Sequence, residues 1–389
     1  MNIALIAGAR PNFVKIAPLL KELRSRPAFR TTLIHTGQHY DDVMSGRFFR
    51  DLEIDPPDVN LSVGSGSHAE QTAEVMRRLE PLLAERRPGL VLVVGDVNST
   101  VAAAITAVKL GIRVGHIEAG LRSFDRAMPE EINRILTDSI AHMHFVTEES
   151  GWQNLLREGV PLESIHLVGN LMIDALEAAR PRWEASTIFE DLGLEPGRPF
   201  ALLTLHRPSN VDDGRAFGRL MGAIDELSEI LPILFPAHPR VFPRLATRRS
   251  ARPAPARGET MPESGLVALE PLGYLDCIAL MSRARFVLTD SGGIQEETTV
   301  LGVPCLTLRS GTERPVTVTS GTNTLVGSDP ARIVEEALWT LISKPRPKSP
   351  PPLWDGRAAE RIAQVLETAA AGRSEAAGAA AARGQREVR

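Results

Sequence analysis

Short runs of apolar residues recur along the chain, and longer stretches with apolar positions at helical spacing separate them. Because nearly every run is continuous rather than alternating, the pattern predicts strands covered on both faces, as in parallel sheets. The predicted strands form two sets along the chain. The first comprises 3–7, 31–36, 90–94, 113–118, 143–146 and 165–169, and the second comprises 200–205, 232–237, 266–270, 286–289 and 304–308.

The alternation of strand and helix patterns predicts an α/β protein with right-handed crossovers. Residues 180–199 are polar and interrupted by proline and glycine, which indicates a linker between two domains. We therefore expect two Rossmann-like domains, over 1–170 and 171–354, whose parallel sheets face each other across a cleft. Residues 355–370 are predicted to form a last helix, and the alanine-rich, polar tail 371–389 is predicted to be disordered or marginally helical.

Composition excludes several classes of protein. The net charge of −4 argues against a nucleic-acid binder that depends on phosphate neutralisation. The two cysteines are far apart and predict neither a disulfide framework nor a metal site. The N-terminal apolar run is too short for a signal sequence, and no stretch approaches the ~20 apolar residues of a membrane span. We expect a cytoplasmic protein without a membrane partner.

Ligands of doubly wound sheets bind beyond the carboxyl ends of the strands, so the chemistry is sought there. The first strand ends in "GARPNFVK", which predicts a tight turn into a helix with Arg10 and Lys15 near its start. Free N–H groups, the positive end of the helix dipole and two cations form an anion site. The alternative is an ordinary helix start with two solvated cations.

Three carboxylates are predicted at neighbouring ends of the first sheet. Asp96 follows the third apolar strand run, Glu118 ends the next, and Glu130 begins a helix after Pro129. Carboxylates crowded in this way raise one another's pKa, and such a set can hold one acid and one base at neutral pH. Taken singly, Asp96 is also explained as part of a helix cap and Glu130 by the helix dipole. The residues alone leave metal binding open.

Histidines follow two strands of the second set. His206 ends one strand in "LLTLHRP", and His238 ends the next in "FPAHPR". For each, the alternative to a functional role is a structural hydrogen bond.

The stretch "FVLTDSGGIQEE" is typical of a strand, a tight turn and a helix start. Gly292 and Gly293 allow backbone N–H groups to approach a phosphate, Ser291 adds a hydroxyl donor, and Glu297 is an acceptor for sugar hydroxyls. This pattern predicts a nucleoside diphosphate site. The loose G-x-G-x-x-A at 64–69 does not follow a clear first strand, so NAD is not implied.

At these residues the sequence resembles the non-hydrolysing UDP-N-acetylglucosamine 2-epimerases, over about residues 3 to 370. The resemblance implies a fold like that of the GT-B glycosyltransferases, with the final helix crossing back to the first domain, and a homodimer by analogy. It also implies that UDP-GlcNAc and UDP-ManNAc are interconverted without NAD or an essential metal. The matching segments, in order, are "GARPNFVKIAPLL", "TGQHYDDVM", "GDVNST", "HIEAGLRS", "MPEEINR", "GNLMIDAL", "TLHRPSNVDD", "HPR", "PLGYLD", "LTDSGGIQEE", "LGVPCLTLR", "TERP" and "GTN".

The chemistry that the resemblance implies is elimination of UDP to a bound 2-acetamidoglucal, followed by re-addition of UDP and protonation at C2 from the other face. The acid/base residues that it implies are Asp96, Glu118 and Glu130, whose individual roles it leaves open. It also implies that Arg10, Lys15 and His206 stabilise the leaving diphosphate. The remaining implied UDP-binding residues are His238, Ser291, Gly292, Gly293, Glu297 and Arg314.

Rival functions share parts of this pattern. Relatives in the family epimerise other UDP-2-acetamido sugars, including a diacetamido uronic acid, and a hydrolysing variant would release ManNAc and UDP. A GT-B glycosyltransferase would share the nucleotide site, but the first half of the chain has no evident basic amphipathic surface for a membrane acceptor. A non-catalytic nucleotide-sugar sensor would not need three strand-end carboxylates.

Overall fold

The computed structural model describes residues 1–37, 49–237, 241–245, 248, 250–343 and 349–387. The chain divides into two compact units. The first contains the described residues of 1–42, 53–175 and 352–389, and the second contains those of 43–52 and 176–351.

Each unit contains one seven-stranded sheet. The strands of the first are β1 (Asn2–Ala7), β2 (Arg30–His35), β3 (Val59–Asn60), β4 (Leu90–Val94), β5 (Val114–Ile117), β6 (Met143–Val146) and β7 (Ile165–Leu167). Those of the second are β8 (Ala201–Thr204), β9 (Pro232–Pro236), β10 (Ala251–Pro253), β11 (Gly265–Leu269), β12 (Phe286–Thr289), β13 (Cys305–Thr307) and β14 (Asn323–Leu325).

Helices connect the strands and cover the sheets. Those up to the second sheet are α1 (Arg10–Ser25), α2 (His68–Arg86), α3 (Asn98–Lys109), α4 (Pro129–Ile140), α5 (Glu149–Arg157), α6 (Leu171–Ala178), α7 (Arg180–Glu184) and α8 (Ile188–Asp191). The later ones are α9 (Pro208–Val211), α10 (Gly214–Ser228), α11 (Phe242–Leu245), α12 (Tyr274–Arg283), α13 (Gly292–Leu301), α14 (Val316–Thr319), α15 (Pro330–Ile342) and α16 (Ala358–Glu387).

Both sheets are parallel throughout, with strand orders β3-β2-β1-β4-β5-β6-β7 and β10-β11-β9-β8-β12-β13-β14. In the first sheet, β2 and β3 follow one another on one side of β1, and β4 to β7 follow one another on its other side. In the second sheet the chain reverses in the same way between β8 and β12. Loops diverge at such a reversal and leave a crevice at the carboxyl ends of the strands, which is where each unit can bind a ligand.

The central strands are buried on both faces, which explains their continuous apolar sequences. In β4, all five residues of Leu90–Val94 are buried, and its neighbour β5 is buried along its length. The apolar side chains of β4 pack against α3 and α2, among them Ala103, Ala104 and Leu79. At about 25 cal/mol per Å² of apolar surface, this burial is the main force that holds each sheet to its helices.

Three short strands were not predicted: β3, β10 and β14. Each lies at an edge of its sheet and has two or three residues. An edge strand pairs on one side only, so it lacks the long apolar run by which buried strands are recognised.

The segment 180–199, which the sequence predicts to be a linker, contains α7 and α8. Trp183, Ile188 and Leu194 are buried there in the apolar core of the second unit, together with residues of β8 and α12. The polar residues between them obscured this apolar set. The segment is therefore part of the second unit's core.

The last helix, α16, runs to Glu387 and so continues past residue 370, where the sequence prediction ends it. Alanine has the highest helix propensity, and the tail is rich in it. At its other end, the N–H groups of Ala358 and Ala359 donate to the carboxyl of Asp174 at 3.0 and 2.7 Å. This buried side chain on α6 caps α16 and ties the end of the chain to the first unit.

Candidate active site

The turn between β1 and α1 is held by a buried asparagine. The Asn12 side chain accepts hydrogen bonds from the N–H groups of Gly8 and Ala9, at 3.2 and 2.9 Å. Its amide donates to the carbonyl of Val94 at the end of β4, at 3.1 Å. The turn that leads to Arg10 is thereby fixed against the neighbouring strand.

Lys15 lies one turn further along α1 and forms a buried ion pair with Glu118, which directly follows β5. Gly95, at the end of β4, lies beside this pair: a Cβ placed there would be 3.4 Å from the Glu118 Oε2 and 3.9 Å from the Lys15 Nζ. The predicted cation and the predicted carboxylate are therefore in direct contact.

The backbone of Glu118 adopts the left-handed region, with φ +70°. This conformation is strained for a residue with a side chain, and such strain is concentrated at functional sites. It is held by the carbonyl of Phe145 in β6, which accepts from the N–H groups of Glu118 and Ala119 at 3.0 and 3.1 Å. The Glu118 side chain is 6% exposed.

Asp96 lies at the adjacent strand end and is held by two residues of α4. Its carboxylate forms an ion pair with Arg134, and its backbone carbonyl accepts from the Asn133 amide at 2.8 Å. Glu130 lies one turn earlier on α4, three residues before Asn133 and four before Arg134, so it shares a helix face with both. The structure thus brings the first turn of α4 to the strand end that bears Asp96.

The two adjacent glutamates at the start of α4 have different environments. Glu131 is buried and accepts from the Ser123 N–H and hydroxyl at 2.7 and 3.0 Å and from the Phe124 N–H at 3.1 Å. Glu130 is half-buried, and within the described part of the chain it has no hydrogen-bond or ion-pair partner. Glu131 therefore holds a loop, and Glu130 is the one available to a ligand.

In the second unit, His206 follows β8 and pairs with Asp290, which follows β12. The His206 Nδ1 is 2.7 Å from the Asp290 Oδ1, and the His206 ring is otherwise exposed. Asp290 also accepts from the backbone N–H groups of His206 and Arg207, at 3.1 and 3.0 Å, and from the Asn210 amide at 3.0 Å. Since Asp290 accepts, Nδ1 carries the proton, and Nε2 is the nitrogen that faces solvent.

Asp290 was not predicted, although it lies directly before Ser291 in the quoted motif. Burial raises its pKa, but the hydrogen bond and the charge of His206 outweigh burial and bring the net pKa below its ordinary value. Its place at a strand end, in a stretch of otherwise small or neutral residues, was the signal that could have identified it.

The start of α13 presents free backbone donors. Ser291 is the N-cap residue, and within the described chain its side chain makes no capping hydrogen bond. Gly292 faces the buried guanidinium of Arg314, since a Cβ at Gly292 would be 2.5 Å from the Arg314 Nη1. The Arg314 guanidinium is itself paired with Glu296 and Glu313, at 2.6 and 3.4 Å. First-turn N–H groups such as that of Gly293, together with the Ser291 hydroxyl, are donors of the kind that bind anions.

Glu297 lies about one turn into α13 and is 4% exposed. Burial raises its pKa to about 8, and the hydrogen bond from the Tyr274 hydroxyl, 3.1 Å from Oε1, only partly offsets this. The carboxyl is thus mostly protonated at pH 7. Tyr274 is a further residue that the sequence did not single out.

The last of the predicted site residues, His238, lies outside the described residues. Among the described residues, no group of three or more His, Cys, Asp or Glu side chains is arranged to hold a metal ion. Within the same ranges, no helix combines the length and the apolar character needed to cross a bilayer.

Comparison with known proteins decides the family. A family model described as UDP-N-acetylglucosamine 2-epimerase matches residues 21–367. The chain belongs to the UDP-N-acetylglucosamine 2-epimerase family. The resemblance inferred from the strand-end motifs is thereby confirmed.

Relatives match along nearly their whole length. The UDP-N-acetylglucosamine 2-epimerase of Methanococcus maripaludis is 40% identical over 349 residues, which cover 86% of this chain and 90% of the relative. The UDP-2,3-diacetamido-2,3-dideoxy-D-glucuronate 2-epimerase of Pseudomonas aeruginosa is 37% identical, covering 94% of this chain and 99% of the relative. Both substrates weighed in the sequence analysis thus occur among relatives of this epimerase-family chain.

The fold prediction is confirmed as well. The crystal structure of the Methanocaldococcus jannaschii UDP-GlcNAc 2-epimerase in complex with UDP-GlcNAc and UDP has a TM-score of 0.85 to this chain. The two are 37% identical, and the match covers 95% of this chain and 100% of the other. The chain thus has one parallel α/β sheet in each unit, and its structural neighbours are GT-B-like epimerases.

Proposed function

We propose that this protein interconverts UDP-GlcNAc and UDP-ManNAc by epimerisation at C2. Support comes from family membership and from the carboxylates at the carboxyl end of the first sheet. One observation carries the proposal furthest: the buried Lys15–Glu118 ion pair at a strained strand end, beside the Asp96–Arg134 pair at the adjacent strand end. Paired titratable groups in a crevice are the arrangement that acid/base catalysis requires.

The reaction is an elimination followed by an addition. A base removes the C2 hydrogen, the electron pair forms the C1–C2 double bond, and the C1–O bond to UDP breaks. UDP then adds back at C1, and an acid delivers a proton to C2 from the opposite face. Asp96, Glu118 and Glu130 supply the acid and the base in this proposal, and each step conserves atoms and charge without an oxidant.

The leaving diphosphate needs stabilisation where its negative charge develops. We assign Arg10, Lys15 and His206 to this role. Arg10 and Lys15 carry donors, and His206 would donate from Nε2 as the imidazolium. Lys15 in addition holds the Glu118 carboxylate, so departure of UDP and proton transfer at C2 would be coupled through its ammonium group.

Binding of the nucleotide is assigned to the second unit. The diphosphate would accept from the Ser291 hydroxyl and from the N–H groups of Gly292 and Gly293, with Arg314 behind them. The ribose would donate to Glu297. His238 stays a prediction in this role, as do the cytoplasmic location and the homodimer.

Proton NMR of the purified protein with UDP-GlcNAc in D2O, without added NAD or metal, tests the proposal. We expect UDP-ManNAc to form with deuterium at C2, because the proton removed exchanges with solvent. Absence of both C2 exchange and a new sugar would contradict the proposal. Release of free ManNAc with UDP would indicate hydrolysis instead.

The same experiment with UDP-2,3-diacetamido-2,3-dideoxy-D-glucuronate tests the main alternative, which the Pseudomonas aeruginosa relative supports. Exchange at C2 of this substrate but not of UDP-GlcNAc would transfer the mechanism to the uronic acid. Exchange with UDP-GlcNAc at the higher kcat/KM would favour the proposed substrate.

A further inference from the structure

A fully buried histidine in β5, His116, has both ring nitrogens facing acceptors. Its Nδ1 is 2.6 Å from the Asp138 Oδ1 on α4, and its Nε2 is 2.9 Å from the backbone carbonyl oxygen of Gly95. The His116 ring therefore links the Gly95 carbonyl to the Asp138 carboxylate, both of which only accept hydrogen bonds.

Asp138 is itself saturated with donors. Its second oxygen accepts from the Gly120 N–H at 3.1 Å and forms an ion pair with Arg122 at 2.7 Å. Burial raises the pKa of Asp138, but the charges and hydrogen bonds of His116 and Arg122 outweigh it and lower the pKa to about 2. The Asp138 carboxyl is thus ionised at neutral pH.

The two ends of this pair hold the two loops that carry Asp96 and Glu118. Gly95, whose carbonyl binds His116, directly precedes Asp96, and Gly120, whose N–H binds Asp138, is two residues after Glu118. Gly95, Glu118 and Gly120 all have positive φ, at +68°, +70° and +78°. Neither loop follows a regular strand or helix path, so buried side chains must fix its course.

We infer that the His116–Asp138 pair is a positioning unit for the reaction proposed above: it sets the placement of Glu118 relative to Asp96. Neither residue touches the substrate in this inference. A displacement of about 1 Å in a catalytic group costs about 10²-fold in rate, so loss of the pair would lower turnover much more than nucleotide binding.

The neighbouring strand provides a matched control. His144 is the direct register partner of His116 in β6 and is equally buried, at 1% exposed. Its Nε2 is 2.8 Å from the backbone carbonyl of Asp138, and its Nδ1 is 3.3 Å from the Ser164 hydroxyl. It shares the environment of His116, but neither of these contacts is to the loop of Asp96 or of Glu118.

The experiment compares His116→Gln with His144→Gln in the full chain. For His116→Gln we expect kcat to fall about 10²-fold, with KM and the Kd for UDP within about threefold of wild type. Deuterium incorporation at C2 should fall in parallel with kcat. For His144→Gln we expect kcat within about threefold of wild type at a comparable loss in thermal unfolding temperature.

Failure of this inference is distinguishable from failure of the proposed function. If wild-type protein does not exchange the C2 hydrogen, the proposed function fails. If wild type epimerises and His116→Gln retains its kcat, or if both variants lose kcat equally, the positioning role alone is overturned. Should His116→Gln not fold, the isosteric Asp138→Asn, which keeps an acceptor for Gly120, replaces it and must show the same loss of kcat with unchanged KM.

Discussion

The two units have the same kind of sheet but place different groups at its carboxyl end. In the first unit, Glu118 and Asp96 are each paired with a cation from a neighbouring helix, Lys15 and Arg134. In the second unit, His206 pairs with Asp290, and Ser291 makes no side-chain cap at the start of α13 within the described residues. Burial there raises the pKa of Glu297 to about 8.

The contrast follows from the tasks proposed for the two sites. Proton transfer needs titratable groups whose environments differ, which ion pairs from different elements supply. Anion binding uses donors at a helix N-terminus, where the Arg314 guanidinium balances the buried carboxylates of Glu296 and Glu313. One architecture therefore supports both tasks through the strand-end residues alone.

The largest effect on kcat is expected from a substitution of Glu118, which is paired with Lys15 in the first unit. Glu118→Gln keeps the shape of the side chain and removes its ability to exchange a proton, so kcat should fall by about 10²–10⁴-fold. The Kd for UDP, measured by calorimetry, should change by less than about threefold. Glu149→Gln, which alters an exposed carboxylate at the start of α5, is the control and should leave kcat unchanged. A kcat of Glu118→Gln equal to wild type would remove Glu118 from the acid/base group.

The second prediction concerns the neutral carboxyl in the other unit. The pKa of Glu297 is raised from 4.5 to about 8, so between these values the folded state holds a proton that the unfolded state lacks. The contribution of protonated Glu297 to the free energy of unfolding is fully present below about pH 4.5 and is lost as pH rises through about 8. In Glu297→Gln this contribution is absent, so the free energy of unfolding should change by a few kcal/mol less over this pH range.

Thermal unfolding between about pH 5 and pH 8 measures the pH dependence that Glu297 contributes. The unfolding temperature of wild type should fall more steeply with pH than that of Glu297→Gln, whereas Glu195→Gln, at an exposed position, should follow wild type. Parallel curves for wild type and Glu297→Gln would mean that the carboxyl is ionised in the folded protein.

The smallest effect is expected from one added methyl group in the anion site. In Gly292→Ala the new Cβ would lie 2.5 Å from the Arg314 Nη1 and 3.0 Å from its Cζ, so the guanidinium must move. We expect the Kd for UDP to rise about tenfold, equivalent to about 1.4 kcal/mol. Gly214→Ala is the matched control at the start of α10, where an added Cβ meets nothing within 4 Å. Equal affinities of the two variants would exclude Gly292 and Arg314 from the site.

Most of the fold could be predicted from the sequence, because central strands covered on both faces must be apolar throughout. β4 was predicted residue for residue, as were β6 and β12. The edge strands β3, β10 and β14 were missed, and buried residues such as Trp183 were assigned to a linker, because neither forms a long apolar run.

The candidate site was predictable only in part. Strand-end position identified Asp96, Glu118 and His206, since a polar residue directly after an apolar run is unusual. Arg134, the partner of Asp96, lies 38 residues away in sequence, and Asp290, the partner of His206, lies 84 residues away. No local sequence pattern predicts contacts at such separations.

The sequence by itself determined the fold class, the family and the positions at which polar groups meet the ends of strands, because these depend on local periodicity and on motifs of adjacent residues. Only the tertiary structure decided that Lys15 neutralises Glu118, that Glu131 rather than Glu130 is committed to a loop, and that His116 joins two loops through a buried charge. These outcomes depend on burial and on contacts between distant segments, which exist only once the sheets have formed.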